Sequence, residues 1–140
     1  MALPTKLTLE IVTPDRALVT EEVDEVQLPG SDGYFGVLPG HTPMLATLQV
    51  GEMWYRVGPM TRYLALSFGF VEVLPDRVTV LAHIAERAED IDVARAEAAK
   101  RRAEARVTGP QSDTDFERAR VAMMKSLIRL QVASRARTRA

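Results

Sequence analysis

The rhythm of apolar and polar positions changes near residue 84. Before that point, apolar residues come in short, β-branched runs with a period of two, the spacing that puts alternate side chains on one face of a strand. The run 7–12 alternates and stops at Thr13-Pro14-Asp15, a turn signal. Runs 16–22 and 23–28 follow, the second closed by Pro29-Gly30. Further runs occupy 43–50, 53–57, 61–66, 70–74 and 78–84. Short strands at this spacing predict an all-β sandwich or barrel of about eight to ten strands. Residues 78–82 are nearly all apolar, which predicts a strand covered on both faces, and Pro75-Asp76 predicts a hairpin turn before it.

After residue 84 the period lengthens. From Asp92 to Val107 there is no Gly or Pro, and alanine, the best helix former, recurs at 94, 96, 98, 99, 103 and 105. Asp90 or Asp92 caps the start of this helix, and Thr108-Gly109-Pro110-Gln111 ends it, with glycine at the C-terminal cap and proline blocking continuation. Ser112 or Asp113 caps a second helix with Asp115 and Glu117 in its first turn. Phe116, Ala119, Met123, Leu127 and Leu130 recur along it at helical spacing, which predicts one apolar stripe. The short link makes the two helices antiparallel neighbours. Alanine buries little area, so this hairpin is marginal by itself and needs a third surface, whether the β module, a partner or a ligand.

Composition sharpens the division. Seven of the eight glycines lie between Gly30 and Gly69, and seven of the eight prolines between Pro4 and Pro75. There are no cysteines, which excludes disulfides, thiol catalysis and cysteine-held zinc. No apolar run reaches the roughly 20 residues that span a bilayer, and the N-terminus lacks a signal-like stretch, so a cytoplasmic location is expected. The net charge of −1 conceals an asymmetry: residues 1–84 carry five basic and ten acidic groups, residues 85–140 thirteen basic and nine acidic. Past Glu117 there is no acid, but Arg118, Arg120, Lys125, Arg129, Arg135, Arg137 and Arg139 follow. Such a tail suits an acidic surface, an anionic ligand or a solvated helix end.

Residues 28–43 hold four glycines and three prolines, but no Gly-Lys-Ser/Thr and no following helix. That order argues for tight bends between strands and against a phosphate-cradling loop. Tyr34 and Phe35 at the tip are candidates for partner contact. A small hydrolase built on His41 lacks a recognisable nucleophile and orienting acid, and two histidines without spaced carboxylates do not make a metal site. His83 reads as a solvent-side strand residue or a satisfied core one. A nucleic-acid binder using the basic tail lacks an aromatic platform on its helices. Arg95 and Arg102 lie two turns apart on one face of the first helix, and Lys125 and Arg129 share a face of the second. Brought together, four cations repel unless an anion sits among them, and a polyphosphate is a natural guest for arginine forks.

The stretch Pro29-Gly30-Ser31-Asp32-Gly33-Tyr34-Phe35-Gly36-Val37-Leu38-Pro39-Gly40-His41-Thr42-Pro43 resembles the signature of the epsilon subunit of bacterial F-type ATP synthase. Residues 67–73, 78–82 and 85–96 resemble the strands, junction and first helix that follow it there, and the likeness runs from about Leu7 to about Ala133. The resemblance implies a flattened sandwich of about ten strands over 1–86 and a two-helix hairpin over 87–140. It implies a non-catalytic rotor subunit with no required cofactor and no metal. Its partners would be the gamma subunit, the ring of c subunits and the alpha/beta catalytic subunits, with no nucleic acid. It would sit peripherally on the cytoplasmic face of the bacterial plasma membrane without inserting. By the same likeness Ser31, Asp32, Gly33, Tyr34 and Phe35 would approach the c ring, and His41 would face gamma. Extended along gamma, the hairpin would inhibit ATP hydrolysis through Arg118, Arg120, Lys125, Arg129 and Arg135. Folded down, it would bind ATP as a regulatory ligand through the match at Ile91, Asp92, Arg95 and Ala96, with Glu86, Arg102, Lys125 and Arg129 completing the site. Lys125 departs from the family pattern, which has arginine there; lysine keeps the charge and loses the fork.

Overall fold

A computed structural model describes residues 2–110 and 112–137. Gln111, the side chain of Arg137, and Arg139 therefore lie outside the described part of the helix stop and basic tail. Eight strands come first: β1 Leu7–Val12, β2 Ala17–Val23, β3 Glu25–Gly30, β4 Gly33–Val37, β5 Met44–Leu48, β6 Gly51–Val57, β7 Met60–Leu74 and β8 Arg77–Arg87. A single 3-10 turn, Ala88–Asp90, leads to α1 Val93–Thr108 and α2 Asp113–Arg137.

The count of eight strands corrects the figure of about ten. The runs 61–66 and 70–74 are two halves of one strand, β7. Its first half pairs with β6 and its second half with β5, while β8 follows along the other edge in unbroken register. The transition falls at Phe68 and Gly69, whose φ values are 60° and 131°. A Cβ on Gly69 would stand 2.1 Å from the Leu81 carbonyl oxygen, so only glycine lets the two strands stay paired through the bend. The opposite error concerned β4: the loop expected at residues 33–37 pairs in register with β3, with Leu28 opposite Phe35. Gly33 and Gly36 hide a strand that pairs through its backbone.

β1 pairs antiparallel with β2 and parallel with β8, so the sheet folds over a single core. Leu7, Leu9 and Ile11 of β1 meet Leu28 of β3, Met53 of β6, Leu64 and Leu66 of β7, and Val78 and Val80 of β8 within it. β8 is covered on one face only. Leu81 is 38% exposed, correcting the expectation that this apolar run is sheltered on both sides. His83 is exposed.

Asp92 caps α1, its side chain accepting from the Arg95 N–H at 3.1 Å. Gly109 stands at the C-cap in extended conformation (φ −88°), not the left-handed one. Pro110 and the Thr108 hydroxyl, which donates to the Glu104 carbonyl at 3.0 Å, end the helix instead. Ser112 caps α2 through the Asp115 N–H at 3.2 Å. The helices pack on one another through small buried side chains, Ala96 and Ala103 on α1 and Ala119 and Ser126 on α2. The stripe expected on α2 is only partly inward, since Phe116 and Leu127 are exposed. The end of α2 instead lies on the sheet, where Val132 and Ala133 close over Ala65, Ala88 and Ile91. The third surface that the hairpin needs is thus the β module.

Candidate functional site

The inner side of the hairpin gathers cations. Arg95 and Arg102 of α1 and Arg129 of α2 line one cavity of about 440 Å³ together with Ala98 and Ala99. A second cavity, about 390 Å³, lies between the hairpin and the sheet, bounded by Ser67, Ile84 and Glu86 below and by Ala99, Lys125 and Arg129 above. The two share Ala99 and Arg129, so they adjoin. Five of the eight residues expected to bind ATP therefore meet here: Glu86, Arg95, Arg102, Lys125 and Arg129. The other three serve the framework. Ile91 is buried in the hairpin–sheet cluster, Asp92 caps α1, and Ala96 is buried at the helix seam.

The charges are unequally satisfied. Arg129 forks onto Glu86, Nε at 2.7 Å and Nη2 at 3.1 Å, with both side chains about a quarter exposed. Lys125 holds its Nζ 5.6 Å from the centroid of the Phe68 ring, a cation–π distance. Arg95 and Arg102 form no ion pair among the described residues. Two guanidinium groups on one cavity without a carboxylate leave a local positive field that an anion would neutralise.

The other expected contacts fall elsewhere. Ser31, Asp32, Gly33, Tyr34 and Phe35 form the β3–β4 tip and the start of β4. Ser31 is tied to β5, its N–H donating to the Thr47 carbonyl at 2.9 Å and its hydroxyl accepting from Thr47 at 2.8 Å. Tyr34 is half exposed, and its hydroxyl accepts the Glu52 N–H at 3.1 Å. His41 lies in the 38–43 loop, with Nδ1 2.7 Å from the Thr42 carbonyl, and among the described residues no carboxylate orients it as a catalytic base. The Gly40 N–H donates to the Pro75 carbonyl at 2.7 Å, fixing that loop at the end of the sheet. Beside it the outer face of β5, β7 and β8 exposes Leu45 (73%), Phe70 (50%) and Leu81 (38%), with Thr47, Phe70 and Leu81 in cross-strand register. The patch is not legible in the sequence, where the apolar run 78–82 that contains Leu81 reads as covered on both faces.

Of the cations expected to inhibit, Arg118 is exposed. Arg120 forks onto Glu117 within α2, at 3.2 and 3.0 Å. That hydrogen bond holds the Glu117 carboxyl below its usual range and pushes the Arg120 guanidinium up. Arg135 meets Glu52 at 3.2 Å and lies 5.1 Å from the centroid of the Tyr63 ring. Glu52, Gln131, Tyr63 and Phe68 were not foreseen. The available signal was the charge at Glu52 directly before the apolar run Met53-Trp54-Tyr55. At the seam, burial pushes the Tyr55 hydroxyl up, with the nearby Glu21 carboxylate adding to the shift.

Residues 6–88 match the ATP synthase delta/epsilon chain β-sandwich domain, and residues 89–134 its long α-helix domain. The chain is 52% identical over 131 residues to ATP synthase epsilon chain 2 of Syntrophotalea carbinolica, covering 93% of this chain and 95% of that one. It is 48% identical to the ATP synthase epsilon chain of Syntrophobacter fumaroxidans, over 93% of this chain and 97% of the other. Its fold is similar to that of a chain in the Euglena gracilis mitochondrial ATP synthase, in the OSCP/F1/c-ring assembly in rotational state 1. The TM-score is 0.82 at 20% identity, over 99% of this chain and 84% of that one. No helix among the described residues is long and apolar enough to cross a membrane.

Proposed function

The chain belongs to the delta/epsilon-chain family of ATP synthase, as an epsilon chain of the central stalk and not a catalytic subunit, and from that premise we propose that it docks its β module on the rotor and uses the hairpin as an arm that restrains ATP hydrolysis. The β3–β4 tip, Ser31 to Phe35, meets the c ring. The His41 loop and the neighbouring apolar face of Leu45, Phe70 and Leu81 meet gamma, since an exposed apolar patch of this kind is a docking surface more often than bare surface. The complex lies on the cytoplasmic face of the bacterial plasma membrane.

The observation that carries the arm's role is how it is held. Its helices touch through alanine and serine, and Lys125, Arg129 and Arg135 are engaged by Phe68, Glu86 and Glu52 of the platform. An acidic surface on the catalytic subunits competes for these same cations when the arm extends, and Arg118 and Arg120 join them. The two poses then differ by few contacts, the condition under which a partner or ligand shifts the population. Cutting the chain after Asp90 in the reconstituted soluble complex should raise hydrolysis while assembly survives. Unchanged hydrolysis would remove the inhibitory role.

ATP is the proposed ligand of the folded arm, with its phosphates against Arg95 and Arg102, whose charges have no carboxylate partner among the described residues. Bound at 100 times its dissociation constant, it would favour the folded pose by about 2.7 kcal/mol. It acts as a signal, and the subunit needs no cofactor. Titration calorimetry on the isolated subunit tests this: binding abolished by Arg102→Ala supports it, and no heat with the native chain sinks it.

A further inference from the structure

We propose that Glu52 is the clasp of the arm: with Gln131 and Arg135 it holds the far end of α2 on the sheet, outside the proposed nucleotide site, and its release is the step that frees the arm.

Glu52 sits on the face of β6 opposite Met53, whose side chain enters the sandwich core. Its side chain is 8% exposed, because the arm covers it. A carboxylate so placed costs desolvation unless donors meet it. Two do, both from the last turns of α2: Gln131 Nε2 donates at 2.9 Å, and Arg135 approaches at 3.2 Å. Arg135 also lies over the Tyr63 ring, so the same guanidinium touches β6 and β7. The Tyr34 hydroxyl, accepting the Glu52 N–H, fixes the backbone from which the carboxylate projects.

These contacts are built to open. Arg135 keeps 45% of its side chain in water, and Gln131 is exposed on the helix. When the arm lifts, Glu52 passes directly into solvent, so no buried charge is stranded and opening carries no desolvation barrier of its own. Val132 and Ala133, the apolar seat of the arm, lie between the two donors in sequence. The clasp therefore fixes the register in which that seat closes. None of its residues lines the cavity that carries Arg95 and Arg102, or the adjoining one that carries Lys125.

The regulatory consequence rests on the reading that the extended arm inhibits, and the test separates the two. The chain has no cysteine, so Ser67→Cys, under the arm, places a single thiol whose labelling by a bulky maleimide reports the open population. In that background Glu52→Gln should speed labelling about tenfold or more, as loss of a charge-assisted bond implies. Arg135→Met should do the same with the β module untouched. Together they should add less than the sum of the two, since both break the Glu52–Arg135 pair they share. ATP affinity of the folded arm's site should change only through that population. Labelling unchanged in both variants, or fully additive effects, would overturn the clasp. In the reconstituted complex Glu52→Gln should deepen inhibition of hydrolysis. If labelling rises there and hydrolysis does not fall, the clasp stands and the inhibitory reading fails.

Discussion

Val132→Ala measures how strongly the arm is seated. Val132 is fully buried in the cluster shared by α2, the 3-10 turn and β7. The substitution removes two carbons, worth about 1.6 kcal/mol at roughly 0.8 kcal/mol for each buried methylene-sized group. The void left against Ala65 and Ile91 raises the cost to about 2 kcal/mol. Alanine is also the better helix former, but that gain applies to the folded and the extended arm alike and cancels in their ratio. The open fraction should therefore rise roughly thirtyfold. Labelling of the Ser67→Cys thiol reads that fraction directly. Leu127→Ala is the control: it removes more carbon, but from a side chain 45% exposed on α2, and should change labelling less than about threefold. Equal effects of the two substitutions, or none from Val132→Ala, would refute the idea that the arm rests on this cluster.

Gly69→Ala should destabilise the β module by about 3 kcal/mol or more, because its Cβ would overlap the Leu81 carbonyl at a φ of 131°. Gly58→Ala, at positive φ but in open space, should cost only about 1 kcal/mol, and thermal unfolding compares the two. Asp24 has its carboxyl held below the usual range by its hydrogen bond with Lys6 and then by the Gly58 N–H. Its contribution is complete above about pH 4 and lost as pH falls through the depressed folded value, so the gap between the native chain and Asp24→Asn in urea midpoint should be constant near neutrality and close in acid. Lys125→Arg should tighten ATP binding several-fold in calorimetry by restoring a fork; weaker binding would place Lys125 with Phe68 in function as well as in geometry.

The periodicity of the chain carried the two-module plan. It placed Asp92 and Ser112 among the correct caps, because capping and helix-stop chemistry is local. It failed where the determinant was a contact distant in sequence. Glycine content masks β4, a strand that pairs with β3 through its backbone. β7 reads as two runs because Gly69 looks like punctuation when the Leu81 carbonyl beside it is not visible in the sequence. Leu81 reads as covered because apolar character does not say which face of a sheet is buried. The cationic cluster was legible from helical spacing alone at Arg95 and Arg102. Glu52 was not, since its donors lie 79 and 83 residues away.

A dye pair on Glu22→Cys of β2 and Thr114→Cys of α2, followed by single-molecule energy transfer in the reconstituted complex, reports where the arm lies from one molecule to the next. Two distance populations are expected, the shorter gaining as ATP rises and the longer as ATP is depleted. One fixed distance under all conditions would contradict an arm that moves between platform and stator.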